Sequence, residues 1–205
     1  RTRLGDRKRL LSGLDRIRRN VDATGVLEGT DRFQQQAFDV VLGGVASAFD
    51  LSGEDPRTVE RFDTAHLTRF EEWKDKNNKN HYKANSQSLG KLLLLARRLC
   101  ENGCNFVTVT TSFVWDMHAD VNNLGMERGM DYVGSPFNHS VSALIEDIEA
   151  RGLQDDILVV CTGEMGRTPR INPKAGRDHW PQCGFSLLFG GGIRRGCVVG
   201  RTDAQ

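Results

Sequence analysis

The chain is short of net charge, of long apolar runs and of pairable cysteines. Its 28 Lys and Arg residues offset 27 Asp and Glu, which leaves a formal net charge of +1 over 205 residues. So even a balance supplies no field to gather nucleic acid or an anionic membrane surface, and neither is expected as a partner. Basic residues cluster only in "RTRLGDRKRLLSGLDRIRRN", where a solvated helix face accounts for them better than a nucleic-acid arm. No run of about 18 apolar residues occurs, so no membrane-spanning helix is expected. There is no initiator Met and no signal peptide, and Arg18–Arg19 is not followed by the apolar segment of an export signal. The chain reads as an internal piece of something longer.

Five cysteines cannot all pair. Cys100 and Cys104 form a C-x3-C spacing, but no second such pair follows, which argues against a structural zinc knuckle. Cys161 lies in an apolar run and reads as a small core residue. No disulfide framework is expected, and the length suffices for one domain with its own core.

What is present divides near residue 105. Before it the pattern is helical. Leu10, Leu11, Leu14, Ile17 and Val21 recur with helical spacing, as do Phe33, Ala37, Phe38, Val41, Val45 and Phe49. Asp55 before Pro56 reads as an N-cap and first helical position. "KDKNNKNHYKANSQ" reads as a polar loop. A helix on Leu89, Leu92, Leu93, Ala96 and Leu99 follows, with Gly103 as its stop. After residue 105 the pattern changes. "NFVTVTTS" (Asn105 to Ser112) reads as a strand. A helix capped by Ser135, with Pro136 in its first turn, carries Phe137, Val141, Leu144, Ile145 and Ile148 on one face and ends at Gly152. "DDILVVCT" is a continuous apolar strand of the kind covered on both faces. "FSLLFGGG" is a third strand and "CVVG" a short fourth. Strand, helix, strand makes a right-handed βαβ unit, so the fold class is α/β with a mostly parallel sheet, a single domain over 1–205.

Polar groups gather where such strands end. "WDMHAD" follows the first strand and "CTGEMGRTPRINPKAGRDHWP" the second. In extended chain Asp116 and His118 share one face, since side chains alternate. A carboxylate and an imidazole together suit a divalent ion such as zinc or manganese. Asp178 and His179 point apart, so His179 is expected to face inward, with Asp178 behind the ligands. Glu164 either joins this site or pairs with Arg167 or Arg170. His66, His81 and His139 read as surface or helix residues.

"GEMGRTPRIN", "GRDHWP", "FSLLFGGGIRRG" and "GRTD", with "AFDLSGEDPRTVERF", "LLLARRLCENG" and "WDMH" before them, resemble the DUF1501 family in its C-terminal half. That family is placed with alkaline phosphatases and sulfatases by fold. The resemblance covers nearly the whole chain, with a polar insertion near Trp73 to Ser88. It implies an alkaline-phosphatase-like sheet, incomplete because its N-terminal half is absent, and an exported, periplasmic protein. It also implies a site for one or two divalent ions, zinc or manganese, with calcium and magnesium left open. Asp116, His118 and His179 would serve one ion and Glu164 the other. Arg167, Arg170 and Arg177 would hold the anionic group of a small ester or sulfated glycan. Met117, and "AD" after His118, depart from the commoner "WDTH-G-N" form. Nothing before Asn105 reads as the strand that carries the metal-binding Asp and the Ser, Thr or modified Cys nucleophile of such enzymes, and the chain stops at Gln205, before the family's usual end. The expected function is therefore hydrolysis of sulfate or phosphate esters, with the fragment inactive alone. The rival readings are a non-catalytic exported binding or structural protein, and a structural remnant.

Overall fold

A computed structural model describes residues 45–69, 77–112 and 115–201. The chain divides into two units, Arg1–Ser47 and Ala48–Gln205, and apart from residues 45–47 the described residues all belong to the second. The helical periodicities of Leu10–Val21 and of Phe33–Val41, and the basic cluster at the start, lie outside the described residues. Helix α1 is Val45–Ala48, α2 is Pro56–Phe62, α3 is Lys79–Glu101 and α4 is Met126–Ala150. Four strands follow: β1 (Leu158–Thr162), β2 (Gly166–Arg167), β3 (His179–Trp180) and β4 (Ser186–Gly190).

The helix ends follow local chemistry. Asp55 accepts the Arg57 amide at 2.9 Å and Pro56 opens α2, as expected. Helix α3 stops at Gly103, whose φ of 88° is cheap only for glycine. The Gly103 amide bonds the Cys100 carbonyl and the Cys104 amide bonds the Leu99 carbonyl, a Schellman ending. Gly152 ends α4 in the same way, with φ of 71° and the Leu153 amide on the Ile148 carbonyl.

The starts of α3 and α4 differ from the expected ones. Lys79–Gln87 was expected in a loop and is helix. Its buried side chains are Tyr82, Asn85 and Ser86, and periodicity in apolar residues does not see two of them. Tyr82 accepts the Leu124 amide at 3.3 Å, and the Ser86 carbonyl accepts the Thr64 hydroxyl. Helix α4 begins ten residues before the expected Ser135–Pro136 start. Pro136 costs it one internal hydrogen bond. In return Gly129, Tyr132 and Val133 are buried with it, and the first amide, Met126, bonds the Ala175 carbonyl at 2.8 Å. The fully buried line on α4 is Pro136, Ser140, Ala143, Leu144 and Ile148; Phe137, Val141 and Ile145 are only half-buried beside it.

Two apolar clusters result. One joins Tyr82, Met117, Leu124, Tyr132 and Val133. The other joins Phe62, Leu94, Ala143, Leu144 and Ile148, with Val159 of β1 and Phe189 of β4 against it. Gly90 makes the second possible: a Cβ there would stand 1.7 Å from the Phe62 carbonyl oxygen, so any side chain would push α2 away from α3. Leu144 is 5% exposed in this cluster. Leu144→Ala is expected to cost about 2–5 kcal/mol in urea unfolding; a silent substitution would mean that α4 does not pack on the sheet.

The fold is a mixture of helices and small antiparallel sheets, and the expected parallel βαβ unit is absent among the described residues. Residues 105–112 pair with no strand there, and Phe106 is 88% exposed. "CVVG" forms no strand either, and Val198 and Val199 are exposed. β1 pairs antiparallel with β4, Val160 opposite Leu188, and β2 pairs antiparallel with β3. β1 is not covered on both faces: Val159 turns to the helices, while Leu158 and Val160 are about half-exposed on the other side. Continuous apolarity did not distinguish a strand covered on both faces from one covered on one.

Candidate metal centre

Met117 sets the first side of the site. It is 4% exposed in the cluster with Tyr82 and Val133. Gly129 leaves room for it, since a Cβ there would lie 2.8 Å from the Met117 Sδ. With Met117 held inward, alternation sends Asp116 and His118 together to the opposite side. Ala119 then reverses the chain at a φ of 59°, and its amide bonds the Leu124 carbonyl at 3.1 Å.

The β2–β3 ribbon sets the second side. Arg167 lies directly opposite His179 in the ladder, so both side chains leave the same face of the ribbon. The loop between them is organised by Asn172. Its Oδ1 accepts the Lys174 and Gly176 amides at 3.0 and 2.9 Å, and its Nδ2 donates to Asp178 at 3.2 Å and to the His118 carbonyl at 3.4 Å. The two sides meet through main chain. The Arg177 amide bonds the Met117 carbonyl at 2.9 Å, and a Cβ on Gly176 would lie 2.3 Å from the His118 carbonyl carbon and oxygen. The glycine of "GRDHW" is thus required by close backbone approach. Gly176→Ala is expected to force the two segments apart and to lower the thermal midpoint by several degrees, as a cost of about 1–3 kcal/mol would. An unchanged midpoint would show that the segments are not in register.

Three side chains converge where the sides meet. The Asp116 Oδ1 lies 2.9 Å from the Nε2 atoms of both His118 and His179, and those two nitrogens lie 3.0 Å apart. Ligand atoms on a tetrahedral zinc stand about 3.3 Å apart, given bonds of about 2.0–2.1 Å, so this triangle needs to open by only a few tenths of an ångström. Two imidazoles and one carboxylate are also the donor set that zinc and manganese accept. Arg167 donates to the same Asp116 oxygen, and its Nη1 lies 3.4 Å from the His118 Nε2. Asp178 stands 3.6 Å from the His118 Nδ1, behind the ring. Burial alone would raise the Asp116 carboxyl, but hydrogen bonds from His179 and Arg167 and the Arg167 charge outweigh it and hold the group below the ordinary carboxylate range. The His179 side chain is 44% exposed, against 15% for Asp116, so the cluster opens to solvent on the β3 side.

The other residues singled out in the sequence are spread around this cluster. Glu164 is exposed in the turn after β1 and is not one of the three converging groups. It makes no ion pair with Arg167 or Arg170. Arg170 is exposed on the loop. Arg177 is half-buried, with its Nε lacking a hydrogen-bond partner among the described residues. His66 and His81 are exposed, and His139 is half-buried on α4, 2.8 Å from the Arg61 carbonyl. All five cysteines are free, and burial pushes the Cys161 thiol up, which leaves it a poor nucleophile. Asn172 and the Arg167–Asp116 contact were not anticipated. The Asn172–Pro173 dipeptide was the available signal, because asparagine before a turn bonds the backbone two residues on.

A family model described as "Protein of unknown function (DUF1501)" matches residues 1–205. No curated protein matches the chain, and no solved structure does. With the match running from the first residue to the last, the chain belongs to the DUF1501 family.

Proposed function

We propose that this chain carries the metal-binding part of a divalent-metal hydrolase of sulfate or phosphate esters, built on an alkaline-phosphatase-like fold in an exported protein. One observation supports the reading above the others: Asp116, His118 and His179, from two separate segments, bring three lone-pair atoms to within 3.0 Å of one another beside an arginine. Zinc or manganese is the proposed ion. When bound it supplies a Lewis acid and an acidified water or hydroxyl. The chain's own groups do the rest. Asp116 brings the negative charge, and Asp178, held by Asn172, stands behind His118. Arg167, Arg170 and Arg177 offer forked donors that match a tetrahedral anion. Glu164 is assigned to a second ion in this proposal, and the nucleophile to a strand upstream of this chain.

The rival is a non-catalytic binding or structural protein. It draws support from the absence of any Ser, Thr or Cys side chain bonded to Asp116, His118 or His179 among the described residues. The test compares residues 1–205 with a longer form that carries upstream sequence. Each is dialysed, analysed for zinc and manganese, and assayed on aryl phosphates and aryl sulfates. Metal in both with turnover only in the longer form is the expected result. Metal in both with no turnover favours the binding protein. Turnover by residues 1–205 that His179→Ala abolishes would place the nucleophile within this chain.

A further inference from the structure

Arg167 reaches the lone pairs that an ion would use. Its Nη1 donates to Asp116 Oδ1 and lies 3.4 Å from His118 Nε2, two of the three atoms in the triangle. No other carboxylate pairs with it among the described residues. The guanidinium is a cation. A divalent ion at the same atoms would face that charge at close range, and the lone pairs cannot serve both.

We propose that Arg167 is the resident cation of the centre before metal arrives, and that metal loading displaces its guanidinium from Asp116 and frees it to bind a tetrahedral oxyanion. The inference rests on the metal reading above and adds a coupling to it: the anion site exists only once the metal site is filled. The backbone fits such a swing. β2 is held by its ladder with β3, and the Thr168 amide bonds the Asp178 carbonyl at 3.0 Å. A Cβ on Gly166 would lie 2.0 Å from the Cys183 carbonyl oxygen, so the main chain before Arg167 is also tightly seated. Only the side chain is left to move. Anchored opposite His179, it stays beside the centre when it leaves Asp116. There its fork of donors suits inorganic phosphate or sulfate, while the compensating charge on Asp116 passes to the ion.

A supporting residue and a competing one differ in sign. If Arg167 merely orients Asp116, removing it weakens metal binding, as loss of an outer hydrogen bond to a ligand ordinarily does. If it competes, removing it strengthens metal binding. The experiment is a zinc titration against a chelating indicator for the unaltered chain, Arg167→Gln, Arg167→Lys and His179→Ala, followed by calorimetric titration with inorganic phosphate, with and without zinc. Arg167→Gln is expected to bind zinc about tenfold more tightly than the unaltered chain, since a charge-assisted bond no longer has to break. Arg167→Lys, which keeps a charge but not the fork, should fall between them. Phosphate should bind only the zinc-loaded unaltered chain, and Arg167→Gln should abolish that binding. Equal or weaker zinc binding by both Arg167 variants would overturn the competition. Phosphate binding of equal strength without zinc would overturn the coupling. Zinc binding by the unaltered chain no tighter than by His179→Ala would remove the metal reading itself, and the competition with it.

Discussion

Glu54→Ala is expected to lower the unfolding free energy by about 3–5 kcal/mol, the usual cost of removing one partner from a buried ion pair. Arg97 explains the size. Its side chain is 1% exposed, and it reaches Glu54 at 2.8 Å, Asp147 at 2.6 Å and Glu101. Arg98 and Arg151 complete the set on Glu54 at 2.7 and 2.8 Å. Three guanidinium groups thus balance three carboxylates where the ends of α3 and α4 meet the turn before α2. Burial alone would raise the Glu54 carboxyl, yet hydrogen bonds from Arg98 and Arg97 and the nearby charges bring it down from 4.5 to about 2. A carboxyl depressed in the folded state stabilises the fold fully above its unfolded value. Its contribution is then lost as pH falls from near 4.5 toward 2. Urea unfolding of Glu54→Ala and the unaltered chain between pH 7 and pH 2 checks both statements. The two stabilities should converge as the acid limit is approached. A loss under about 1 kcal/mol at pH 7 would mean that the network behaves like an exposed one.

His179→Ala is expected to weaken zinc binding by at least about 100-fold, more than the loss of an outer hydrogen bond to a ligand costs. Asp116→Ala should do at least as much, because it removes the only negative charge among the three converging atoms. Folding is expected to survive in both. His179 is 44% exposed and Asp116 faces away from the core, so neither change opens a cavity. Zinc should also raise the thermal midpoint of the unaltered chain in proportion to the logarithm of its concentration, and raise either variant's only at concentrations about 100-fold higher or more. A midpoint in His179→Ala that rises over the same zinc range as in the unaltered chain would show that the ion sits elsewhere.

The convergence of Asp116, His118 and His179 was more legible in the sequence than the fold that carries it, while Glu164, grouped with them there, does not join it. Asp116 and His118 could be placed together because a period of two is local, and Met117 between them is the kind of residue a core takes in. Alternation likewise sends His179 and Asp178 to opposite sides, but it does not say which of them faces inward. The β2–β3 ladder was invisible: two residues in each strand give no pattern to read. The sheet was misjudged because apolar content reports that a strand is buried somewhere, not how many of its faces are covered or which neighbour it pairs with. Val160 and Leu188 are as apolar as Val159 and Phe189, and only the latter two meet the helices. The start of α3 was hidden for a related reason. Asn85 and Ser86 are buried by their tertiary surroundings, which override a local reading that calls them polar. Of the Arg97 network only the Glu101 pair, at i,i+4 on the same helix, was within local reach; the other carboxylates lie 43 residues upstream at Glu54 and on another helix at Asp147.

Met117 lies between Asp116 and His118 and faces the other way, so ligand placement and core filling are read from one frame. A shift of the stretch by a single residue would invert every side chain in it. The carboxylate and the imidazole would turn toward Tyr82 and Val133, and the thioether would turn toward solvent. Substitutions can tune this segment one position at a time, but changes in its length cannot be graded. The chain should therefore vary in length elsewhere, on the exposed 169–171 side of the loop, while the distance from Trp115 to Ala119 stays fixed.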